Sequence, residues 1–261
     1  MVRWRGKEGG GRVESFIHNY AYVHPTAKIG EGCNIGEGVF IGEGCVLGDY
    51  VTIEMKCNIH DRVTIGSNSY IRSSTQIWKN TRIGKSVYIG PHTDIGEDSY
   101  IEEYCYIGEN NKFGHCVHLG ERSITKERVH IGSHTSFLYD CYVENDSIIG
   151  EANEFISRVL IMNNVIIGSY NKIESAVYIS SYVTIGSENT FREKAHLGQY
   201  CSLGDYNFID YVVKIGIAAR IWSYCVLNTR SIVPPESSIP DRFVLKAHKI
   251  YKQPKDKSDK I

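Results

Sequence analysis

The sequence predicts an all-β solenoid, and three regularities predict it. An aliphatic residue recurs at every sixth position from Ile17 to Leu245. A small residue stands two positions before most of these aliphatics, and glycine often stands one position after. A strict short period over most of a chain is the mark of a repeat architecture.

The aliphatic series runs Ile17, Val23, Ile29, Ile35, Ile41, Leu47, Ile53, and continues through Ile107, Phe113, Leu119, Ile131, Ile167, Ile209 and Leu227 to Leu245. It has 39 members, one per six residues from 17 to 245, and 38 of them are Ile, Leu, Val or Phe; Thr125 is the exception. Each six-residue unit reads as one short strand and a corner, with the aliphatic side chain pointing inward. Three units close a triangular coil of 18 residues. The fold class is therefore all-β: a left-handed parallel β-helix of about 13 coils without loop insertions, about 60 Å long at the usual strand spacing. A single coil cannot bury its own core, so the array must be long and capped.

The second inward position sits near the corner and should be small. It holds Ala27, Cys33, Val39, Cys45, Val51, Cys57, Val63, Ser69 and Thr75. Seven of the eight cysteines fall there: Cys33, Cys45, Cys57, Cys105, Cys141, Cys201 and Cys225. They read as small core residues rather than as disulfides or metal ligands. Asn153, Asn171, Asn189 and Asn207 are one coil apart and should stack as an amide ladder inside one corner.

Composition removes several classes. A formal net charge of -1 gives no basic field for nucleic acid. No apolar run approaches the roughly 18 residues that span a bilayer. The basic N-terminus (Arg3, Arg5, Lys7, Arg12) has no apolar stretch after it, so a cytoplasmic location and reduced thiols are expected. The domain reading is an N-terminal basic, glycine-rich extension or cap over 1–16, the β-helix over 17–245, and a Lys-rich C-terminal tail over 246–261.

An 18-residue period also sorts the outward residues into columns. Gly96, Gly114, Gly132, Gly150, Gly168, Gly186 and Gly204 form an unbroken bare column between Trp78 and Trp222. Such a column either leaves a smooth groove for a ligand or serves corner geometry alone. Tyr70, Tyr88, Tyr106, Tyr142 and Tyr178 share a second column, and an exposed aromatic stripe reads as an interface. His115, His118, His130 and His134 crowd into twenty residues around Thr125, where the aliphatic rule breaks. A local breach of a strict pattern points to function.

The run "KIGEGCNIGEGVFIGEGCVLGDY" resembles the hexapeptide-repeat transferase superfamily, whose motif is aliphatic-Gly-x-x-small-x. The resemblance covers nearly the whole chain. It implies a homotrimer, here packed through the tyrosine face, and an acyl-CoA-dependent acyltransferase, with acetyl-CoA or another acyl-CoA as co-substrate and a sugar or amino-sugar as acceptor. In related enzymes the acyl-CoA arm lies lengthwise in a groove between subunits, which assigns Gly114, Gly132, Gly150, Gly168, Gly186, Gly204 and Trp222 to the cofactor. Their general-base histidine stands in His-x-x-x-[Ile/Leu]-Gly, which here is His115 to Leu119-Gly120. A neutral imidazole there would take the proton of the attacking hydroxyl or amine. Backbone amides of the corner could meet the oxyanion. Glu97, one coil earlier, could orient the ring, and His134 and the out-of-phase Cys116 could contact substrate. No metal is expected.

Two departures keep other readings open. The frame has no inserted loop of the kind that covers a neighbour's site. Lys246-Ala247-His248-Lys249 stands where the family usually carries Gly-x-Pro-Ala, although "SSIP" at Ser237–Pro240 fits the usual ending. The alternative is a non-catalytic scaffold or assembly subunit. A lesser one is a metal protein like the γ-class carbonic anhydrases, whose ligand spacing neither the His115/His118 pair nor the His130/His134 pair matches.

Overall fold

The computed structural model describes residues 2–4 and 13–254. Arg5, Lys7, Arg12, Lys255, Lys257 and Lys260, which figure in the expected end segments, lie outside the described residues. Forty short strands stack into three sheets of fourteen, thirteen and thirteen strands, and no helix is present among the described residues. We call the sheets face A (Ser15–Ile17 to Ile232–Val233), face B (Tyr22–Val23 to Ser238–Ile239) and face C (Lys28–Ile29 to Val244–Leu245). The corners that follow them in the chain are AB, BC and CA. The predicted parallel β-helix of 13 coils is what forms. Each residue pairs with the one 18 positions on, as Ile17 does with Ile35 and Ile65 with Ile83.

The inward aliphatics form one continuous core, and Ile35, Ile41, Ile65, Ile71, Ile77 and Ile89 are fully buried. Burying each such side chain contributes about 1.5–3 kcal/mol. Thr125 is also fully buried, and the Asn111 amide lies 3.5 Å from its hydroxyl. The break in the aliphatic series is therefore a core polar contact.

The small inward position has a second cause besides crowding. The carbonyl after each aliphatic turns inward, and the small residue 15 positions earlier can donate to it. Ser69 donates to Gly84 O (2.9 Å), Thr135 to Gly150 O (2.9 Å), and Cys57 Sγ to Arg72 O (2.9 Å). Burial raises the thiols, Cys57 to about 11 and Cys105 to about 12, so they stay protonated as donors. The asparagine ladder is present: Asn171 Nδ2 donates to Asn153 Oδ1 and Asn189 Nδ2 to Asn171 Oδ1, both at 3.0 Å.

Each corner from Gly32 to His248 places its third residue in the left-handed region, and only Gly32, Gly38 and Gly44 of these are glycine. This is the turn geometry that requires positive φ at its second central residue. For tyrosines such as Tyr182 and Tyr200 it costs on the order of 1–2 kcal/mol each. A hydrogen bond to the preceding coil offsets that cost, as from Tyr182 N to Asn163 O at 3.0 Å.

The two ends differ. At the N-terminal end β1 (Val2–Trp4) pairs antiparallel with β2 (Ser15–Ile17), covering face A alone. A concavity of about 210 Å³ lined by Ile17, Val23 and Ile29 remains beside it. At the C-terminal end the Tyr251 side chain lies over the core. Its ring meets Phe243 edge-on at 5.3 Å, and its hydroxyl donates to Ser238 O at 2.8 Å. Pro234 and Pro240 follow the aliphatics of the last coil and carry no N–H to donate to a further coil.

Candidate functional site

Corner BC carries the residues the sequence singled out. Phe113 ends a face-B strand, so Gly114, His115 and Cys116 make the turn. One coil below, Gly96, Glu97 and Asp98 do the same. Lys79, Glu97 and His115 therefore form a file up the corner. Lys79 Nζ lies 3.0 Å from Glu97 Oε2, and His115 Nδ1 lies 3.8 Å from Glu97 Oε1. The His115 side chain is 61% exposed. Cys116 and His134 occupy the left-handed position of successive coils, with φ of 54° and 59°. His134 N donates to His115 O at 2.9 Å. The structure thus gathers Glu97, His115, Cys116 and His134 on one corner.

The backbone amides of this corner are not free. Gly114 N donates to Ile131 O, Cys116 N to Glu97 O, His115 N to Ser133 Oγ (3.1 Å) and Val117 N to Ser99 Oγ (3.2 Å). The expected backbone oxyanion hole is thereby corrected: every amide from 114 to 117 already serves coil stacking. A developing negative charge there must be met by side chains.

The glycine column has a packing cause. A Cβ on Gly150 would stand 2.6 Å from Ser169 Oγ and 2.7 Å from Gly168 O; on Gly168 it would meet Ser187 Oγ at 2.5 Å. Those serines accept backbone amides from the coil below, Glu151 N to Ser169 Oγ and Ser169 N to Ser187 Oγ, both at 3.0 Å. At Gly114, Gly150, Gly168, Gly186 and Gly204 a Ser or Asp stands 19 residues later and caps that amide. Gly96 is buried, while Gly114, Gly132, Gly150, Gly168, Gly186 and Gly204 are half-buried. Beside them face B exposes Ile148 and Ile166, and Trp222 stands 56% exposed at the column's end.

Sequence reasoning missed a tighter acid–histidine pair. His118 Nε2 lies 2.8 Å from Glu102 Oε1, and Glu102 Oε2 accepts the Glu121 amide at 3.0 Å. The His118 ring stacks on Tyr100 at 5.3 Å. His118 thus lies on face C, held by a carboxylate. The spacing of 16 is a diagonal between neighbouring coils, and it recurs in Tyr70–Glu54 and Trp78–Asp94. A search at that offset would have found it.

The tyrosine face is a stacked ladder. Tyr70 and Tyr88 rings are 6.0 Å apart and Tyr88 and Tyr106 4.9 Å, nearly parallel. Arg72 lies over Tyr70 and Lys126 over Tyr106. Among the described residues no three His, Cys, Asp or Glu side chains gather as a metal site, and no helix is long and apolar enough to cross a membrane.

Repeat, frame and sheets together define a hexapeptide-repeat parallel β-solenoid. A family model described as the GMPPB C-terminal domain matches residues 17–93. No curated protein matches the chain. Among solved structures, an Arabidopsis UDP-N-acetylglucosamine acyltransferase is 20% identical over 82% of this chain and 71% of that one, with a TM-score of 0.34. The Francisella novicida UDP-N-acetylglucosamine acyltransferase is 22% identical over 79% and 62%, with a TM-score of 0.28. PerB from Caulobacter crescentus, solved with CoA and GDP-perosamine, is 17% identical over 60% and 55%, with a TM-score of 0.23. At these identities the likeness concerns the fold alone.

Proposed function

We propose that this chain is a cytoplasmic acyltransferase that moves an acetyl or other acyl group from acyl-CoA to a sugar or amino-sugar. The observation that carries the reading is the Lys79–Glu97–His115 file at the head of the glycine column. Glu97 faces Nδ1 of His115 at 3.8 Å and stabilises the imidazolium once Nε2, acting as the base, has taken a proton. Nε2 takes the proton of the acceptor hydroxyl or amine as that atom attacks the thioester carbonyl. The carbon–sulfur bond then breaks, and the proton passes to the leaving thiolate. Lys79 is the cation closest in the file to the developing oxyanion, since the corner amides are occupied. His134 and Cys116 border the acceptor. The acyl donor lies along Gly114 to Gly204, against Ile148, Ile166 and Trp222, and three copies pack through the stacked Tyr70, Tyr88 and Tyr106 of the tyrosine face, which leaves the end of that face at Tyr178 open. Eight free cysteines suit a reducing compartment.

Calorimetric titration with acetyl-CoA tests the donor groove. Ile166→Glu is the suitable variant, because its side chain is exposed on face B, whereas any side chain at Gly150 strikes the next coil. Saturable binding lost in Ile166→Glu and kept in His115→Ala is expected. No binding at millimolar acetyl-CoA overturns the reading. That outcome favours a scaffold, which the uninterrupted prism and stacked tyrosines also suit.

A further inference from the structure

A second notch in the described surface lies at corner AB, centred more than four coils beyond His115. At the position after the aliphatic this corner carries Met162, then Ser180, Gly198 and Gly216, then Pro234. Three small residues between two large ones leave a hollow of about 600 Å³. Tyr178 and His196 line it on face A, Met162 and Ile217 lie at its ends, and Ser180, Ser181 and Gln199 run along the corner. The volume is in the range that takes a small molecule.

The lining is specific in two ways. First, the side chains of Ser180, Ser181, Gln199 and His196 make no hydrogen bond with any described residue. Ser180 is only 7% exposed, so its idle hydroxyl is not an ordinary surface group. Second, no carboxylate, ammonium or guanidinium lines the hollow. His196 packs edge-on to Tyr178 at 4.9 Å. Partial burial, and then the charge of Lys214, hold its imidazole below the ordinary value. The ring is therefore neutral at pH 7.

We propose that this notch binds a neutral pyranose ring. A pyranose has an apolar C–H face that packs on an aromatic ring, here Tyr178, with Met162 and Ile217 at its edges. Its hydroxyls both donate and accept, as do Ser180, Ser181 and the Gln199 amide. A charged ligand would find no counter-charge in the lining itself, Lys214 standing outside it beyond His196. A purely apolar one would leave four polar groups desolvated without partners, which costs about 1–3 kcal/mol each. The site lies about 20 Å along the prism from His115 at the usual coil spacing, so it stands whether or not His115 is a base.

Saturation-transfer NMR of the full chain with methyl glucoside and with N-acetylglucosamine tests it. Saturable binding in the millimolar range is expected for at least one of the two sugars. Tyr178→Ala and Gln199→Ala should each weaken it about tenfold, with melting midpoints within about 3 °C of the parent. His115→Ala should leave it unchanged. Absence of saturation with both sugars by about 100 mM, or equal binding by the two notch variants, overturns the proposal. Loss in His115→Ala alone also overturns it, by moving the sugar to corner BC.

Discussion

The Glu97 carboxylate stands 3.8 Å from His115 Nδ1 while it holds Lys79 at 3.0 Å. Glu97 thus lies between a cation and an imidazole, and the proposed mechanism makes it a positioning residue. Glu97→Gln should lower kcat for acyl transfer about tenfold while KM for the acyl donor stays unchanged. Steady-state kinetics at fixed pH separate the two; a change in KM alone would assign Glu97 to binding.

Glu54 accepts from Tyr70 (2.7 Å), Arg72 (2.9 Å) and Ser73 (2.8 Å). Burial opposes ionisation, but these hydrogen bonds prevail and hold the carboxyl at about 2. A depressed carboxyl stabilises the fold in full above its unfolded value, near 4.3. That stability is lost as pH falls from there toward 2. Glu54→Gln should cost about 1–2 kcal/mol near neutral pH, and the gap to the parent should narrow by about pH 2.5. Urea midpoints across pH check it.

His196 has the opposite chemistry and the same direction with pH. The unfolded chain protonates it near pH 6.5, and the folded chain only at lower pH. Stability that depends on the neutral ring is full above about 6.5 and is lost as pH falls below that. His196→Gln should therefore lose less of its melting temperature than the parent between about pH 7.5 and 5.5. Scanning calorimetry at the two pH values checks it.

Gly168→Ala should destabilise by about 1–3 kcal/mol, because the added methyl meets Ser187 Oγ and Gly186 backbone. Adding Ser187→Ala should relieve part of that cost. Strict additivity in the double-variant cycle would contradict the glycine–serine coupling between coils.

Asn171 both donates to and accepts from its ladder neighbours, and it also donates to Gly186 O at 3.0 Å. Asn171→Ala should cost about 2–4 kcal/mol, from several lost hydrogen bonds and the groups they leave unpaired. Asn207 stands at the ladder's end with an unpartnered amide nitrogen, so Asn207→Ala should cost less. Denaturant midpoints rank the two.

Period and column arithmetic on the sequence reach the strand frame, the buried cysteines, the asparagine ladder and the Glu97–His115 stacking. All four depend on spacing within a rigid 18-residue coil. Three features were out of reach for physical reasons. The Ser133 and Ser169 hydroxyls occupy amides that the sequence left open, because serine as a cap or as a loose surface residue looks the same in a string. The hollow beside His196 depends on the bulk of Met162 and Pro234 relative to Gly198 and Gly216, a contrast of volumes rather than of residue classes. The left-handed tyrosines conceal the turn type, since only three of the corners show it with glycine.

The measurement that tests the central claim most directly is release of free CoA from acetyl-CoA in the presence of sugar and amino-sugar acceptors, for the parent chain and for His115→Ala. The proposed mechanism predicts acceptor-dependent release that falls about 10²- to 10⁴-fold in His115→Ala, with acetyl-CoA binding intact. Equal release by both proteins, or none by the parent despite saturable acetyl-CoA binding, would contradict it.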